Sequence, residues 1–364
     1  MSKEITVPKT SPRRSFVTRP GFWGLIIGAL VLIAVAVVGL LNALVYNAES
    51  AVEDYVEALR AGDGSTAMAL SQGYLADNAP ENISTVLLDG EPLAAASAIL
   101  DDAEIQTTDA DIPESFLDVG TTQQVVEIRY HDVEGEPQST SIVVDQVGTS
   151  WLFFHQWQLH PMPLQQIKLS PSQMPEHAKA DEPVAHVNDE ATPLLGANGT
   201  PATLAVFAPA SIELEYQGTY LEVPERVRLV AHDVLAAGAH IDFEFDVAPT
   251  QAVDDAITQK VQEQLQRCTQ QQVLKPTGCP FGYETTNRIV PESVNWSINV
   301  PDVEYSWEDS EPTIDRIMAT AVLNAQEIDI GSGQQSEVRH EEVFEMTAQL
   351  ELTPENLWVR PNWQ

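Results

Sequence analysis

The longest uninterrupted hydrophobic segment of the chain lies near its start, from Phe22 to Tyr46. It carries no charged side chain, and Asn42 is its one strongly polar residue. As a helix rising about 1.5 Å per residue it would measure roughly 37 Å, enough to cross a hydrocarbon core of about 30 Å with some tilt. The pattern predicts a transmembrane helix over 22–46.

The charges on either side of this segment predict its orientation. Five basic residues and one acidic residue precede it, and four acidic residues follow closely: Glu49, Glu53, Asp54 and Glu57. By the positive-inside rule, 1–21 form a cytoplasmic basic tail in a single-pass cell-membrane protein, and the bulk of the chain is extracytoplasmic. Trp23 and Tyr46 stand at the two ends, where amphipathic rings favour the membrane interface.

The export route stays open. Arg13-Arg14-Ser15-Phe16-Val17 is similar to a twin-arginine export motif, and the small residues near Ala48 are compatible with a cleavage region. The apolar run is long for a cleaved signal, however, and Pro20 intervenes, which favours an uncleaved Sec-type anchor.

Helical periodicity comes first in the exported part and strand alternation follows. Apolar residues recur at helical spacing over 49–60, and shorter helices are predicted near Ser65 and over 93–100. Strands are then predicted from three sets of alternating positions: 126–130, 142–144, and the series Trp151, Phe153, His155, Trp157 and Leu159. This order predicts an α+β unit over 47–162.

The same stretch resembles the NTF2-like cone of exported bacterial proteins. AVEDYVEALRAGDGSTAMAL at 51–70 is followed by VVEIRY, SIVVDQVG and WLFFHQWQL. The resemblance implies a helix closing over a curved sheet. Enzymatic NTF2-like proteins carry an acid/base pair such as Asp and His inside the cone, but the sequence does not place one here.

Two further units are predicted after the cone. Residues 161–182 hold four prolines and little apolar periodicity, which predicts a Pro-rich linker over 163–182. Five short alternating runs over 183–249 predict a small β-sandwich: PVAHVN, TLAVFAP, SIELEYQG, RVRLVAHD and HIDFEFDV. A helix from about Thr250 to Gln271, followed by alternating runs at 294–300, 319–328 and 344–352, predicts a C-terminal α+β unit over 250–364.

Cys268 and Cys279 are the only cysteines in the sequence. An even count at short spacing outside the membrane predicts a disulfide, and a loop of this size is worth about 2 to 3 kcal/mol in the loop-entropy account. Redox-active pairs are more usually C-x-x-C, and two cysteines are too few for a closed zinc site unless histidines join them.

The overall layout resembles single-span actinobacterial envelope proteins of unknown function, and more loosely the teicoplanin-resistance-associated membrane proteins. All of these string small exported domains after one span. Many such relatives carry a cytoplasmic zinc ribbon, which this chain lacks, because no cysteine precedes Cys268.

Charge sharpens this picture. The chain has 18 Lys and Arg against 54 Asp and Glu, a net charge of −36. Without the five basic residues and one acidic residue of the first 46, positions 47–364 carry 13 basic and 53 acidic residues, a net charge of −40. So acidic a body excludes nucleic acid as a partner, since phosphate backbones are bound through clustered Lys and Arg. The acid predicts a well-solvated, self-repelling surface.

A candidate ligand site comes from the predicted strand over 151–159. His155 shares one face there with Trp151, Phe153 and Trp157, which indicates either a hydrogen-bonded histidine at the rim of the cone or a pocket-lining ligand group. Trp151, Trp157 and Trp296 are interpreted as core residues. Three other tryptophans, in less regular contexts, are candidates for a surface patch: Trp307, Trp358 and Trp363.

No catalytic or cofactor-binding motif occurs in the sequence. G-x-S-x-G, S-x-x-K, H-E-x-x-H and G-x-x-x-x-G-K-[ST] are all missing, so we expect no catalytic residues, no metal and no cofactor. The expected function is a non-catalytic membrane-anchored protein that binds a partner protein or a cell-wall polymer in the envelope. The alternatives are small-ligand binding or pocket chemistry in the cone, and a plain spacer.

Overall fold

The computed structural model describes residues 20–76, 79–80, 83–118, 120–151, 153–175, 182–196, 199–232, 240–299, 303–308 and 311–363. Most of the predicted basic tail, with Arg13 and Arg14, lies outside these ranges. The described α-helices are α1 (Pro20–Leu44), α2 (Ala48–Arg60), α3 (Gly64–Ser71), α4 (Gly90–Ala96) and α5 (Ala252–Thr269). Single turns of 3₁₀ helix occur at Val86–Leu88, Ala98–Leu100 and Glu114–Phe116.

The strands outnumber the helices, and the fold after α1 is a mainly β mixture of α and β. The first ten strands are β1 (Glu104–Thr108), β2 (Thr122–His131), β3 (Pro137–Ser150), β4 (Phe154–Leu159), β5 (Gln165–Ser172), β6 (Val184–Val187), β7 (Glu190–Pro193), β8 (Thr203–Val206), β9 (Ala210–Glu215) and β10 (Leu221–Glu222). The others are β11 (Val227–Ala231), β12 (His240–Asp246), β13 (Ala248–Pro249), β14 (Arg288–Ile289), β15 (Asn295–Asn299), β16 (Tyr305–Glu308), β17 (Glu311–Ile328), β18 (Gln335–Leu352) and β19 (Leu357–Trp363).

The predicted hydrophobic helix is present as α1. Its stretch Trp23–Leu44 has a mean hydropathy of 3.0 and is not buried against the rest of the protein, so it is long and apolar enough to cross a membrane. The helix ends two residues before the predicted boundary at Tyr46. Only three residues then separate it from α2.

The first folded unit is a four-stranded antiparallel sheet, in the order β1-β2-β3-β4, with α2 packed on one face. Asn47 caps α2, since its side chain accepts a hydrogen bond from the backbone N–H of Ser50 at 2.9 Å. The core beneath α2 is formed by Val52, Tyr55, Val56 and Leu59 together with Val126, Ile128, Tyr130, Ile142, Val144 and Leu159. The predicted helices over 49–60, near Ser65 and over 93–100 are confirmed as helical segments.

The predicted linker over 163–182 is wrong in its first half. Gln165–Ser172 form β5, which pairs in parallel with β12 and antiparallel with β8, and Ile167 and Leu169 are fully buried. Pro171 is tolerated because the pairing with β8 covers only 165–168, so its missing N–H interrupts no hydrogen bond on that side. Residues 176–181 lie outside the described ranges.

All five runs predicted over 183–249 form strands. They belong to two sheets, one in the order β11-β9-β6-β7 and one in the order β12-β5-β8, and both contribute to one hydrophobic core. The central strand of the second sheet is β5, the segment for which the sequence predicted no structure.

The C-terminal part is a helix against a large antiparallel sheet. α5 lies within two residues of its predicted bounds, and its buried face is Val253, Ile257, Val261, Leu265 and Cys268. The sheet runs β14-β17-β18-β19, with β15 and β16 also pairing with β17. β17 and β18 are each 18 residues long and pair along most of their length. The predicted strands over 319–328 and 344–352 are parts of this longer pair.

Candidate functional site

The four predicted ligand residues lie where the β3–β4 hairpin meets the end of α1. The prediction that one strand carries all of them is wrong, because β3 runs to Ser150 and β4 begins at Phe154. Trp151 lies in the tight turn between them with a positive φ of 51°. Strand alternation therefore applies to His155 and Trp157 but not to Trp151.

The hairpin is hydrogen-bonded to the hydrophobic helix through Asn42. The Nδ2 of Asn42 donates to the carbonyl oxygen of Phe153 at 2.8 Å, and the backbone N–H of His155 donates to Oδ1 of Asn42 at 3.1 Å. One amide side chain thus satisfies a carbonyl and an N–H at the start of β4, in the way a neighbouring strand would. The one polar residue of the predicted span is a docking residue for the folded body.

Aromatic contacts extend this junction toward α2. The indole N–H of Trp157 donates to the carbonyl oxygen of Tyr46 at 3.1 Å, and the rings of Tyr46 and Phe154 lie 4.7 Å apart between centroids. The rings of His155 and Trp157 meet edge to face at 6.4 Å. Three of the predicted residues therefore participate in the junction: His155 and Trp157 through donors, and Phe153 through its carbonyl.

Asn47 fixes the short connection between the two helices. Besides capping α2, its side chain donates to the carbonyl oxygen of Ala43 at 3.1 Å, in the last turn of α1. Glu49 then accepts a hydrogen bond from the backbone N–H of Thr107 at 2.8 Å, which ties the start of α2 to β1. The folded body is held to α1 by side chains as well as by the chain connection.

The tip of the hairpin is exposed. Trp151 is 85% exposed and Phe153 is 59% exposed, whereas His155, Trp157 and Phe154 are partly buried. The interpretation of Trp151 as a core residue is wrong. The alternation of apolar and polar residues suggested a buried Trp151. This alternation continues across the turn, whose tip has no Gly, Pro or Asn to mark it.

The space between α2 and the sheet is filled by side chains. Tyr55, Leu59, Ile128 and Ile142 are essentially inaccessible, and the hydroxyl of Tyr55 donates to the carbonyl oxygen of Ala208 at 3.0 Å. Burial raises the pKa of the Tyr55 hydroxyl far above its ordinary value, so it stays a neutral donor. Trp157 packs against the edge of this core.

The structure also contains an Asp–His pair that no sequence pattern predicts. Nδ1 of His160 lies 2.8 Å from Oδ2 of Asp145, and Nε2 of Gln123 donates to Oδ1 of the same carboxylate at 2.7 Å. Asp145 and His160 alternate with Val144 and Leu159, which face α2, so the pair is on the opposite face of the sheet. Phe116 covers it, with its ring edge to face with His160 at 5.7 Å.

This pair is therefore a structural one. Gln123 also donates to the carbonyl oxygen of Phe116 at 2.9 Å, so the cluster fastens the segment around Phe116 to the outer face of the sheet. The pair does not lie in the space between α2 and the sheet. Asp145 lies on β3 and His160 directly after β4, and two residues 15 positions apart carry no local motif that could have revealed them.

Surface grooves occur elsewhere on the described surface. One, of about 410 Å³, lies between the first and second units and has carboxylates in its lining, among them Asp101, Asp102, Asp189 and Glu213. Burial alone would raise the pKa of Glu213, but hydrogen bonds from Arg228 and Arg226 lower it. Among the described residues, no group of three or more His, Cys, Asp or Glu is arranged to hold a metal ion.

The remaining predicted residues have mixed outcomes. The disulfide between Cys268 and Cys279 is present, with a Cα–Cα distance of 5.9 Å. Trp296 is buried, as predicted, and its indole N–H donates to the carbonyl oxygen of Val273 at 2.8 Å. Trp358 is 46% exposed, as expected for a surface residue, whereas Trp307 packs partly into the core. The side chain of Trp363 lies outside the described ones.

Comparison of the chain with protein-family models, with characterised proteins and with solved structures finds no match.

Proposed function

We propose that this chain is a single-span protein of the cell membrane, with its N-terminus in the cytoplasm. Its exported body would bind a partner protein or a cell-wall polymer without catalysing a reaction. The observation that carries the proposal is the fixed junction between α1 and the body, made by Asn42, Asn47 and Trp157. Together with the short connection between α1 and α2, it gives the body one height and one orientation above the bilayer.

A fixed orientation matters for a docking protein, because the same surface always faces its neighbours. A body on a long flexible tether would sample many orientations. Here the hydrogen bonds of Asn42 and Asn47 reach both the last turn of α1 and the folded body. The arrangement supports a role in holding a partner close to the membrane.

An exposed apolar pair favours partner binding over a plain spacer. Met318 on β17 is 51% exposed and Val343 on β18 is 63% exposed. Val343 pairs with Thr320, so it is a diagonal neighbour of Met318 on the same face of the sheet. A spacer has no use for exposed apolar side chains next to one another, whereas a docking surface does.

Charge indicates the kind of partner. The body carries −40 over residues 47–364, and the groove beside Asp102 and Asp189 presents carboxylates to solvent. A partner with a basic surface would be steered toward this body and would neutralise part of its self-repulsion. We therefore propose a partner that presents Lys, Arg or amino groups.

We further infer the finer architecture. The helix α2 laid across a four-stranded antiparallel sheet supports an NTF2-like unit, and the two small sheets around β5 support a β-sandwich-like unit. The likeness to actinobacterial envelope proteins is part of this proposal. The ligand-pocket alternative has no comparable support, since the face of α2 toward the sheet is packed with side chains.

Site-specific photo-crosslinking in the native envelope tests the binding proposal. A benzoylphenylalanine would replace Met318 on the C-terminal sheet or Val133 at the acidic groove, with Val273, 48% exposed, as the matched control. We expect a discrete adduct from at least one of the first two positions and none from Val273. Equal yields from all three, at normal protein levels, would contradict specific partner binding.

A further inference from the structure

The tip of the β3–β4 hairpin presents two large aromatic side chains to solvent. Trp151 and Phe153 are 85% and 59% exposed, and nearby Val147 on β3 is 57% exposed. Isolated apolar side chains are common on protein surfaces and need no explanation. Trp151 and Phe153 belong to one turn, and we call the exposed apolar surface that they form the hairpin tip.

The junction with α1 places the hairpin tip at the level of the bilayer boundary. The stretch Trp23–Leu44 has 22 residues, so at about 1.5 Å per residue it measures roughly 33 Å, close to the thickness of a hydrocarbon core. Asn42 is in its last turn, and the carbonyl oxygen of Phe153 lies 2.8 Å from the Nδ2 of Asn42. Phe153 is therefore level with the end of the hydrophobic span.

We propose that the hairpin tip inserts into the outer interface of the bilayer that α1 spans, so that Trp151 and Phe153 are a second membrane attachment. The inference rests on the proposed function, because it requires α1 to span. Trp side chains favour this zone, where the ring contacts acyl chains and the N–H remains hydrated.

The charge pattern around the tip fits a lipid surface. From Gln146 to Ile167 the chain has no Asp, Glu, Lys or Arg, although charged residues make up 20% of the sequence. Carboxylates are costly to bring into a bilayer and are repelled by anionic lipids. The hairpin that contacts the end of α1 is thus free of the charges that would oppose insertion, although Glu49 follows α1 at the start of α2.

The hairpin is also held rigidly enough to act as an anchor. Asn42 binds the backbone on both sides of Phe154, and Trp157 donates to Tyr46. These contacts attach the start of β4 directly to the end of α1. With the span, the hairpin tip would give the body two attachment points, which restrict rotation about the axis of α1.

The experiment uses the full chain in vesicles of phosphatidylethanolamine and phosphatidylglycerol that contain a nitroxide lipid. Cys268 and Cys279 are joined in a disulfide, so one introduced cysteine is the only free thiol for an environment-sensitive fluorophore. The labelled positions are Thr149→Cys beside the tip, Leu32→Cys in α1, and Val343→Cys on the C-terminal sheet. Thr149 is exposed, and its substitution by cysteine leaves the side chains of Trp151 and Phe153 intact.

The proposal expects quenching at Thr149 at least about threefold stronger than at Val343, because an interfacial residue lies within reach of the nitroxide. Adding Trp151→Ser with Phe153→Ser should reduce the quenching at Thr149 to the level at Val343 and leave Leu32 quenched. Quenching at Thr149 that survives the double substitution would contradict a role of the two rings.

Other outcomes separate this inference from the proposed function. Quenching at Leu32 without quenching at Thr149 overturns the inserted tip and leaves the single span standing. No quenching at Leu32 overturns both. If the fluorophore at Thr149→Cys is shielded from water only at high protein-to-lipid ratios, the tip contacts a second copy of the chain. This outcome would also overturn the proposal.

Discussion

The side chain of Asn42 hydrogen-bonds the backbone of Phe153 across 111 residues of sequence, with 2.8 Å between Nδ2 and the carbonyl oxygen. A polar side chain in a membrane helix is costly unless its donors and acceptor are satisfied. Here Asn42 uses both ends of its amide, because the backbone N–H of His155 donates to its Oδ1. The residue that weakens the hydrophobic span is the one that attaches the folded body.

Asn42→Leu removes both of these hydrogen bonds while keeping a similar volume. We expect the amide of His155 to exchange with deuterium about five to ten times faster, since a typical net hydrogen bond is worth about 1 kcal/mol. Hydrogen exchange with mass spectrometry on the reconstituted protein measures this. Asn324→Leu, at an exposed position on β17, is the control. Unchanged exchange over 153–157 would contradict the docking role of Asn42.

Tyr55→Phe tests the link between α2 and the second unit. The hydroxyl of Tyr55 is fully buried and donates to the carbonyl oxygen of Ala208, so its loss leaves that acceptor unsatisfied. We expect the free energy of unfolding to fall by about 1 to 2 kcal/mol in chemical denaturation. Tyr74→Phe, at a position that is 45% exposed, should change it little. Equal effects of the two substitutions would contradict the assignment.

Reduction of the disulfide tests the stability of the region after α5. The bond between Cys268 and Cys279 closes a short loop. Val273 belongs to this loop, and its carbonyl oxygen accepts a hydrogen bond from the indole N–H of Trp296. The loop-entropy account predicts a loss of about 2 to 3 kcal/mol on Cys268→Ser with Cys279→Ser, measured by denaturant unfolding. Faster hydrogen exchange should be concentrated over 268–283. A global loss with no local concentration would argue against this structural role.

Glu213→Gln tests the ion pairs on β9. Hydrogen bonds from Arg228 and Arg226 depress the pKa of Glu213 despite the opposing effect of burial. A depressed pKa means that the carboxylate stabilises the fold above the pKa of the unfolded chain. That stabilisation is lost as the pH falls through the folded pKa.

The variant should therefore be less stable than the wild type near neutral pH, and the difference should shrink in acid and vanish once the pH is below the depressed folded pKa of Glu213. Thermal unfolding from neutral to acid pH measures it. Only the difference between the two proteins is compared, because protonation of other carboxylates changes the self-repulsion of both. Glu225→Gln, at an exposed position, is the control and should show no pH-dependent difference.

Elements with a strong period were predictable from the sequence. The buried face of α5 follows the 3.6-residue spacing of Val253, Ile257, Val261 and Leu265, and the observed helix agrees with the prediction to within two residues. The hydrophobic segment that forms α1 needed only its length and the lack of charge. Local patterns were sufficient in both cases, because each element buries or exposes one continuous surface.

Segments whose structure depends on distant partners were not predictable. β5 contains Pro171 and follows Pro161 and Pro163, and its pairing with β8 and β12, more than 30 and 60 residues later, makes it a strand. The turn at Trp151 has no Gly or Pro to mark it, so alternation suggested a continuous strand. The Asp145–His160 pair and the bonds of Asn42 likewise depend on register and on tertiary contacts, which one-dimensional patterns do not encode.

We have proposed that α1 spans the membrane and leaves the folded body outside, attached to it. Labelling of single-cysteine variants with a membrane-impermeant maleimide in intact spheroplasts tests this most directly. We expect Val343→Cys, at a position that is 63% exposed, to be labelled without permeabilisation, and Thr10→Cys in the basic tail to be labelled only after permeabilisation. Labelling of Val343→Cys only after permeabilisation would contradict the placement of the folded body outside the membrane.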